Sequence, residues 1–246
     1  MSELVYGLHA VEVLLKRSSE RVERLYIQSN RHDQRSHKVV KLAQDKNIPV
    51  IQKDREELDE MTDQRHQGVI AVCRPEKKKS FHEKHIPELL NQIDEAPLIL
   101  ILDGVTDPHN LGACLRSADA AGVHMVIAPK DNAASITDVV RKVACGAAET
   151  VPFIPVTNLV RTMKQLQEAG VWIAGTAGEA EQDIYQANLK GPLAIVMGAE
   201  GEGMRRLTRE NCDYLIKIPM AGEVSSLNVS VATGVTLFEA VRQRAK

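Results

Sequence analysis

The stretch "LILILDGVTDPHNLGACLRSADAAGVHMVIA", residues 98–128, reads as strand, helix, strand. Its opening run, "LILILD", is apolar without alternation, which suits a strand buried on both faces of a parallel sheet. Asp107 is a good N-cap, Pro108 fits the first helical position, and Gly122 fits the stop just past the helix. Leu111, Leu115 and Ala118 share one helical face, and "HMVIA" opens the next strand.

The pattern continues to the C-terminus. "TVPFIPV", "VWIAGTA", "LAIVM" and "YLIKIP" are short apolar runs separated by amphipathic stretches. Alternation of this kind predicts an α/β fold, a mainly parallel sheet with helices on both faces. The final helix is expected to bury Leu227, Val231, Val235 and Phe238. Residues 178–191 are expected as a short helix or an excursion loop. Toward the N-terminus the chain predicts a smaller α/β layer: helices over 7–16, 34–46 and 55–61 alternate with strands at "RLYIQ", "IPVIQ" and "GVIAVC". Between the halves, "RPEKKKSFHEKHIPELLNQIDEAP" carries three adjacent lysines and terminal prolines, as linkers do, with a helical turn expected near 87–93. The domain boundaries read from this are 1–75, a linker over 76–96, and 97–246.

A length of 246 residues suits two domains at roughly 100–200 residues each. The formal net charge is −2, so any nucleic-acid partner must be held by local patches and not by an overall basic field. Cys73, Cys114, Cys145 and Cys212 are too far apart for a zinc-ligand pair and suggest reduced thiols; no metal is expected. The N-terminus lacks a basic signal-peptide region, and no apolar run approaches the ~20 residues that span a bilayer. A cytoplasmic protein is expected.

Three polar islands each follow a predicted strand, where ligands of open α/β sheets bind. The first is residues 102–122. Periodicity alone puts Asn110 in a first helical turn and turns Arg116 to water. The second is "LAIVMGAEGEGMRRL", residues 193–207. Its spacing G-x-x-G-x-G, after a late strand, is a poor dinucleotide fingerprint, and Glu200 and Glu202 would repel phosphate. The loop suits a ligand whose reacting end is not an oligophosphate, a cationic end included; its glutamates can at the same time cap the next helix through its dipole. The third is "IPMAGEVSSLNVSVATGVTLFEAVRQR", residues 218–244, in which Ser225, Ser226 and Asn228 cluster where a helix begins. Capping explains one such residue, not a third polar turn at the same edge. All eight histidines lie between His9 and His124, so a histidine-based hydrolytic triad is not expected unless His109 serves it.

These islands, in this order, resemble the three motifs of the SpoU family of RNA ribose methyltransferases, within the SPOUT class; the likeness covers about residues 97–246. The resemblance implies a C-terminal segment threaded into a trefoil knot, a homodimer whose active sites are completed at the interface, and S-adenosyl-L-methionine as cofactor near Gly198, Ile218 and Leu227. It implies methylation of a guanosine ribose 2′-hydroxyl in 23S rRNA, in the peptidyl-transferase region. The family's functional positions fall on Asn110, Arg116, Glu200, Ser226 and Asn228. Because a guanidinium holds its proton, Arg116 is expected to position phosphate and stabilise a developing alkoxide. The N-terminal part is similar to an RNA-binding ribosomal-protein fold, with Arg31, Arg35 and Lys38 of "SNRHDQRSHK" as its expected RNA contacts. Two alternatives stay open: a tRNA 2′-O-methyltransferase, and a non-catalytic rRNA-binding assembly protein.

Overall fold

The computed structural model describes residues 3–29, 31, 33–74, 80–199 and 201–245. The chain divides into two compact units, residues 1–78 and 79–246. The first runs β1 (Glu3–Tyr6), α1 (Leu8–Arg17), β2 (Val22–Gln28), α2 (Gln34–Asp45), β3 (Val50–Lys53), α3 (Arg55–Met61) and β4 (Val69–Cys73). Its sheet has the order β1-β4-β2-β3. β4, "VIAVC", is buried at every residue, while β1 is an edge strand half open to water. That edge strand has no place in the sequence reading, because four residues with a weak pattern give little periodicity to detect.

The second unit begins with α4 (Ile86–Asn91). It continues with β5 (Leu98–Asp103), α5 (Pro108–Ala120), β6 (Met125–Pro129), α6 (Asp138–Ala144), α7 (Ala147–Thr150) and β7 (Phe153–Val156). Then follow α8 (Leu159–Glu168), β8 (Trp172–Thr176), β9 (Gln182–Asp183), β10 (Leu193–Gly198), α9 (Arg206–Glu210), β11 (Tyr214–Lys217) and α10 (Val229–Arg244). Seven strands pair in the order β7-β6-β5-β10-β8-β11-β9, every pair parallel. Strand β5 shows why no alternation was visible. Leu98, Leu100 and Leu102 pack with α5 and α10 on one face, while Ile99 and Ile101 pack with α8 on the other. Residues 80–93 pack against this second core: Ile86 is buried, and Glu83 pairs with Arg161 at 2.6 Å. The expected run of three lysines lies outside the described residues.

Of the two readings open for residues 178–191, the loop is the one observed, with the short strand β9 set in it where Gln182 and Asp183 pair beside Ile216 and Lys217. One expectation is corrected. Helix α10 does bury one face, but that face is Val229, Thr233, Thr236, Leu237, Glu239 and Ala240, with Val235 of the expected residues packed partly against the core. Val231 stays 52% exposed and Phe238 50%. Thr233 and Thr236 return their hydroxyls to the carbonyls of Val229 and Ala232, so threonines can occupy the buried stripe that apolarity alone assigned elsewhere.

Gly112 lets α5 and α6 touch: a Cβ there would stand 2.7 Å from the Val143 Cβ and 3.0 Å from the Val140 carbonyl. Gly112→Ala is therefore expected to cost about 1–3 kcal/mol through overpacking. Scanning calorimetry checks it, and an unchanged unfolding midpoint would show that α6 yields freely.

Candidate active site and nucleic-acid interface

The sheet changes direction between β5 and β10. From β5 the chain steps outward through β6 and β7, then returns to the other side, where β10 inserts between β5 and β8. Crevices at the carboxyl ends of strands flanking such a switch are where α/β sheets bind ligands. All three polar islands meet there.

The first and third islands are joined by a hydrogen bond. Asp107 caps α5 by accepting from the His109 N–H at 3.0 Å, which fixes the first turn and Asn110 within it. Asn228 caps α10 by accepting from the Ser230 N–H at 2.9 Å. The Asn228 amide then donates to Asn110 Oδ1 at 3.0 Å. The cap of α10 is thus Asn228, which leaves Ser225 and Ser226 exposed. Beneath this bond Cys114 of α5 lies against Thr233 of α10, and burial pushes its thiol up to about 11. Burial favours its neutral thiol form, and it packs as part of the core.

The second island is a closed turn. Ala199 and Gly203 exchange backbone hydrogen bonds of 3.0 and 2.9 Å, with Gly201 and Gly203 at φ of 83° and 70°. The turn folds back so far that a Cβ on Gly198 would stand 2.2 Å from the Gly203 carbonyl carbon. Only glycine permits that approach. Helix α9 follows without a side-chain cap. Glu200 lies outside the described residues.

A cleft of about 420 Å³ opens between the second and third islands. Of the expected residues, Gly198, Ile218, Ser226 and Leu227 line it. Asn110 and Asn228 bind each other instead of lining it, and Arg116 stands apart. It is exposed on α5, six residues and so about 9 Å along the axis from Asn110. Among the described residues it has no hydrogen-bond or ion-pair partner. Sequence reasoning missed the far wall: Thr176, Glu179 and Arg209, with Glu179 and Arg209 paired at 2.8 Å. Glu179 falls in the stretch whose pattern was weakest. Two carboxylates, Glu179 and Glu202, and two cations, Arg209 and Lys217, line the cleft, and the Glu179–Arg209 pair neutralises one of each. No group of three or more metal-ligating side chains occurs among the described residues. Nor, among them, is any helix long and apolar enough to cross a membrane.

In the first unit, Arg31, Arg35 and Lys38 line one larger hollow of about 1180 Å³ together with Arg55, Arg65 and His66. Carboxylates hold several of these cations in place. Asp33 accepts hydrogen bonds from the Arg31 guanidinium and the Ser36 N–H, which hold its carboxyl down at about 2; Glu12 pairs with Lys38 at 2.8 Å. His66, nearly buried, contacts Asp59 at 2.7 Å. The basic sequence stretch signalled Arg31, Arg35 and Lys38, but Arg55 and Arg65 come from distant segments and gave no local signal.

A mostly parallel sheet with glycine and amide turns gathered at one switch point defines the architecture of the SpoU methyltransferases. The profile described as the SpoU rRNA Methylase family matches residues 97–238, and that described as RNA 2'-O ribose methyltransferase substrate binding matches 4–79. The chain belongs to the SpoU rRNA methylase family. It is 58% identical over 245 residues to the 23S rRNA (guanosine-2'-O-)-methyltransferase RlmB of Escherichia coli K12, covering 99% of this chain and 100% of that protein. The Pseudomonas putida protein of the same name is 57% identical, covering 98% and 97%. Among solved structures, the SpoU methyltransferase AviRb from Streptomyces viridochromogenes, in complex with the cofactor AdoMet, shares the fold. Its TM-score is 0.70 at 24% identity, over 98% of this chain and 90% of that one.

Gly198→Ala is expected to spring the 199–203 turn and lower the unfolding midpoint. Gly178→Ala, where a Cβ meets nothing within 4 Å, is expected to leave it unchanged. Hydrogen exchange at Ala199 and Gly203 reads the turn directly; protection that survives Gly198→Ala would contradict the packing argument.

Proposed function

We propose that this chain transfers a methyl group from S-adenosylmethionine to the ribose 2′-hydroxyl of a guanosine in 23S rRNA, within the peptidyl-transferase region. The observation that carries the reading is near-full-length likeness to relatives named for that reaction, over a chain whose second and third motif turns line one cleft and whose first is hydrogen-bonded to the third. The cleft fits such a donor. Its volume lies within the roughly 300–1,000 Å³ of small-molecule sites. The backbone of Gly198 and Gly203 approaches without side chains, Ile218 and Leu227 offer apolar walls, and Glu179 and Glu202 do not repel a sulfonium. S-adenosylmethionine bound there would supply an electrophilic methyl group, the S–CH3 bond breaking to leave a neutral thioether as the O–CH3 bond forms and the 2′-hydroxyl proton is released to solvent.

This chain's residues then position and stabilise. The Asn110–Asn228 pair fixes the two helix starts beside the cleft, and Ser226 on its rim orients the ribose. Glu200 is assigned with them from the family motif. Arg116 binds backbone phosphate and steadies the negative charge that develops on the 2′-oxygen. Holding two reactants in alignment supplies several kcal/mol by itself, so a strong base is not required. Residues 1–75 serve as the RNA-binding domain, with the hollow around Arg31, Arg35 and Lys38 as the contact. Residues 97–246 serve as the catalytic domain, with 76–96 between them.

The active form is a cytoplasmic homodimer in which Arg116 serves a site shared with the partner. Its exposure away from the cleft supports this, as does the apolar face of α10 left open at Val231 and Phe238. The C-terminal segment is threaded as a trefoil knot. The insertion of β10 between β5 and β8 supports this reading, as does the anchoring of Arg244 to the carbonyls of Ala96 and Pro97 at 2.9 and 3.2 Å.

Arg116→Ala is expected to abolish methylation while leaving cofactor affinity near normal. Calorimetry beside a methylation assay tests this, and retained activity removes Arg116 from the mechanism. Phe238→Glu is expected to yield a folded monomer by sedimentation, with methylation lost; a dimer of unchanged affinity would place the interface elsewhere.

A further inference from the structure

We infer that Asp103 is a positioning residue for the cofactor cleft, fastening the glycine turn of the second island to the strand that carries the first. The inference rests on the methyl-donor reading above. Asp103 ends β5 in direct register with Gly198 of β10, and its side chain is completely buried. One carboxylate oxygen accepts the Arg205 backbone N–H at 2.8 Å. The other has no hydrogen-bond partner among the described residues and forms a loose ion pair with Arg205 Nε at 3.5 Å.

A buried carboxylate with an oxygen left unbonded is costly, and such groups persist where they serve something beyond stability. What this one holds is specific. The turn leaves β10 at Gly198, closes on itself through Ala199 and Gly203, and returns at Arg205. Its outgoing end is fixed by the β5–β10 ladder and its returning end by Asp103. Gly198, Ala199, Gly201, Glu202, Gly203 and Met204, all lining the cleft, lie between these two fastenings. Five residues after Asp103 the chain enters α5, which carries Asn110. One carboxylate therefore sets the distance between the wall of the donor cleft and the residues assigned to the ribose.

Arg205 itself allows the backbone bond to be removed alone. Its φ is −59°, the value that proline imposes. Arg205→Ala removes the guanidinium and keeps the N–H, whereas Arg205→Pro removes both with φ preserved. Titration of each full-length variant with S-adenosylmethionine reads the difference. Wild-type binding tests the donor reading on its own, so the two ideas fail separately. Arg205→Ala is expected near wild-type affinity. Arg205→Pro is expected about tenfold weaker, the effect of losing one hydrogen bond to a charged group. KM for the cofactor should rise while kcat at saturation stays. Should the proline chain not fold, Asp103→Ala against Asp103→Asn decides: the asparagine retains an acceptor and is expected to restore the affinity that alanine loses. Equal dissociation constants for Arg205→Ala and Arg205→Pro would overturn the inference. So would Asp103→Ala binding like wild type, or loss appearing only as a smaller active fraction of unchanged affinity.

Discussion

Parallel pairing of β5 with β10 is the constraint on which the site depends. The register runs from Leu98 opposite Leu193 to Asp103 opposite Gly198, so the two strands end together. Their following turns are consequently neighbours, although 95 positions separate Asp103 from Gly198 in the chain. The residues assigned to the donor and the ribose, Arg116 apart, sit on what this pairing brings side by side: the α5 start, the glycine turn, and the α10 start that reaches Asn110 through Asn228. Parallel strands also need both faces covered, and α5 with α10 on one side and α8 on the other supply that cover.

The sequence made the frame legible because buried parallel strands are continuous apolar runs and helix ends carry caps. Asp107, Pro108 and Gly122 stand where the residues alone put them. Gly198, Ile218, Ser226 and Leu227 share one cleft because Gly198 ends β10, Ile218 follows β11, and Ser226 and Leu227 close the loop that leads to α10. What the residues hid was set by tertiary partners. Glu179 and Arg209 meet across the cleft from segments thirty positions apart, so neither has a local pattern. Strand β9 exists only because the edge of β11 is open to it. The buried face of α10 was misassigned because Thr233 and Thr236 satisfy their hydroxyls within the helix and so pass for core. The proposed RNA hollow was half visible, since Arg31, Arg35 and Lys38 are close in sequence whereas Arg55 and Arg65 are not.

Electrostatics separates the two sites more clearly than shape does. The hollow of the first unit gathers five cationic side chains among carboxylates that hold them in place. Such fixed cations suit a phosphate backbone, and because they are partly neutralised they suit a shaped one better than any polyanion. The cleft of the second unit instead balances Glu179 and Glu202 with Arg209 and Lys217 and bares the backbone of Gly198 and Gly203. That balance supports the proposal of a methyl donor with a single positive charge over a polyphosphate.

The most direct measurement is transfer of a labelled methyl group from S-adenosylmethionine, by the purified chain, to 23S rRNA lacking its native modifications, followed by mapping of the labelled atom. The account predicts label on the ribose 2′-oxygen of a single guanosine. Label on a base, label only on tRNA, or no transfer at all would contradict it.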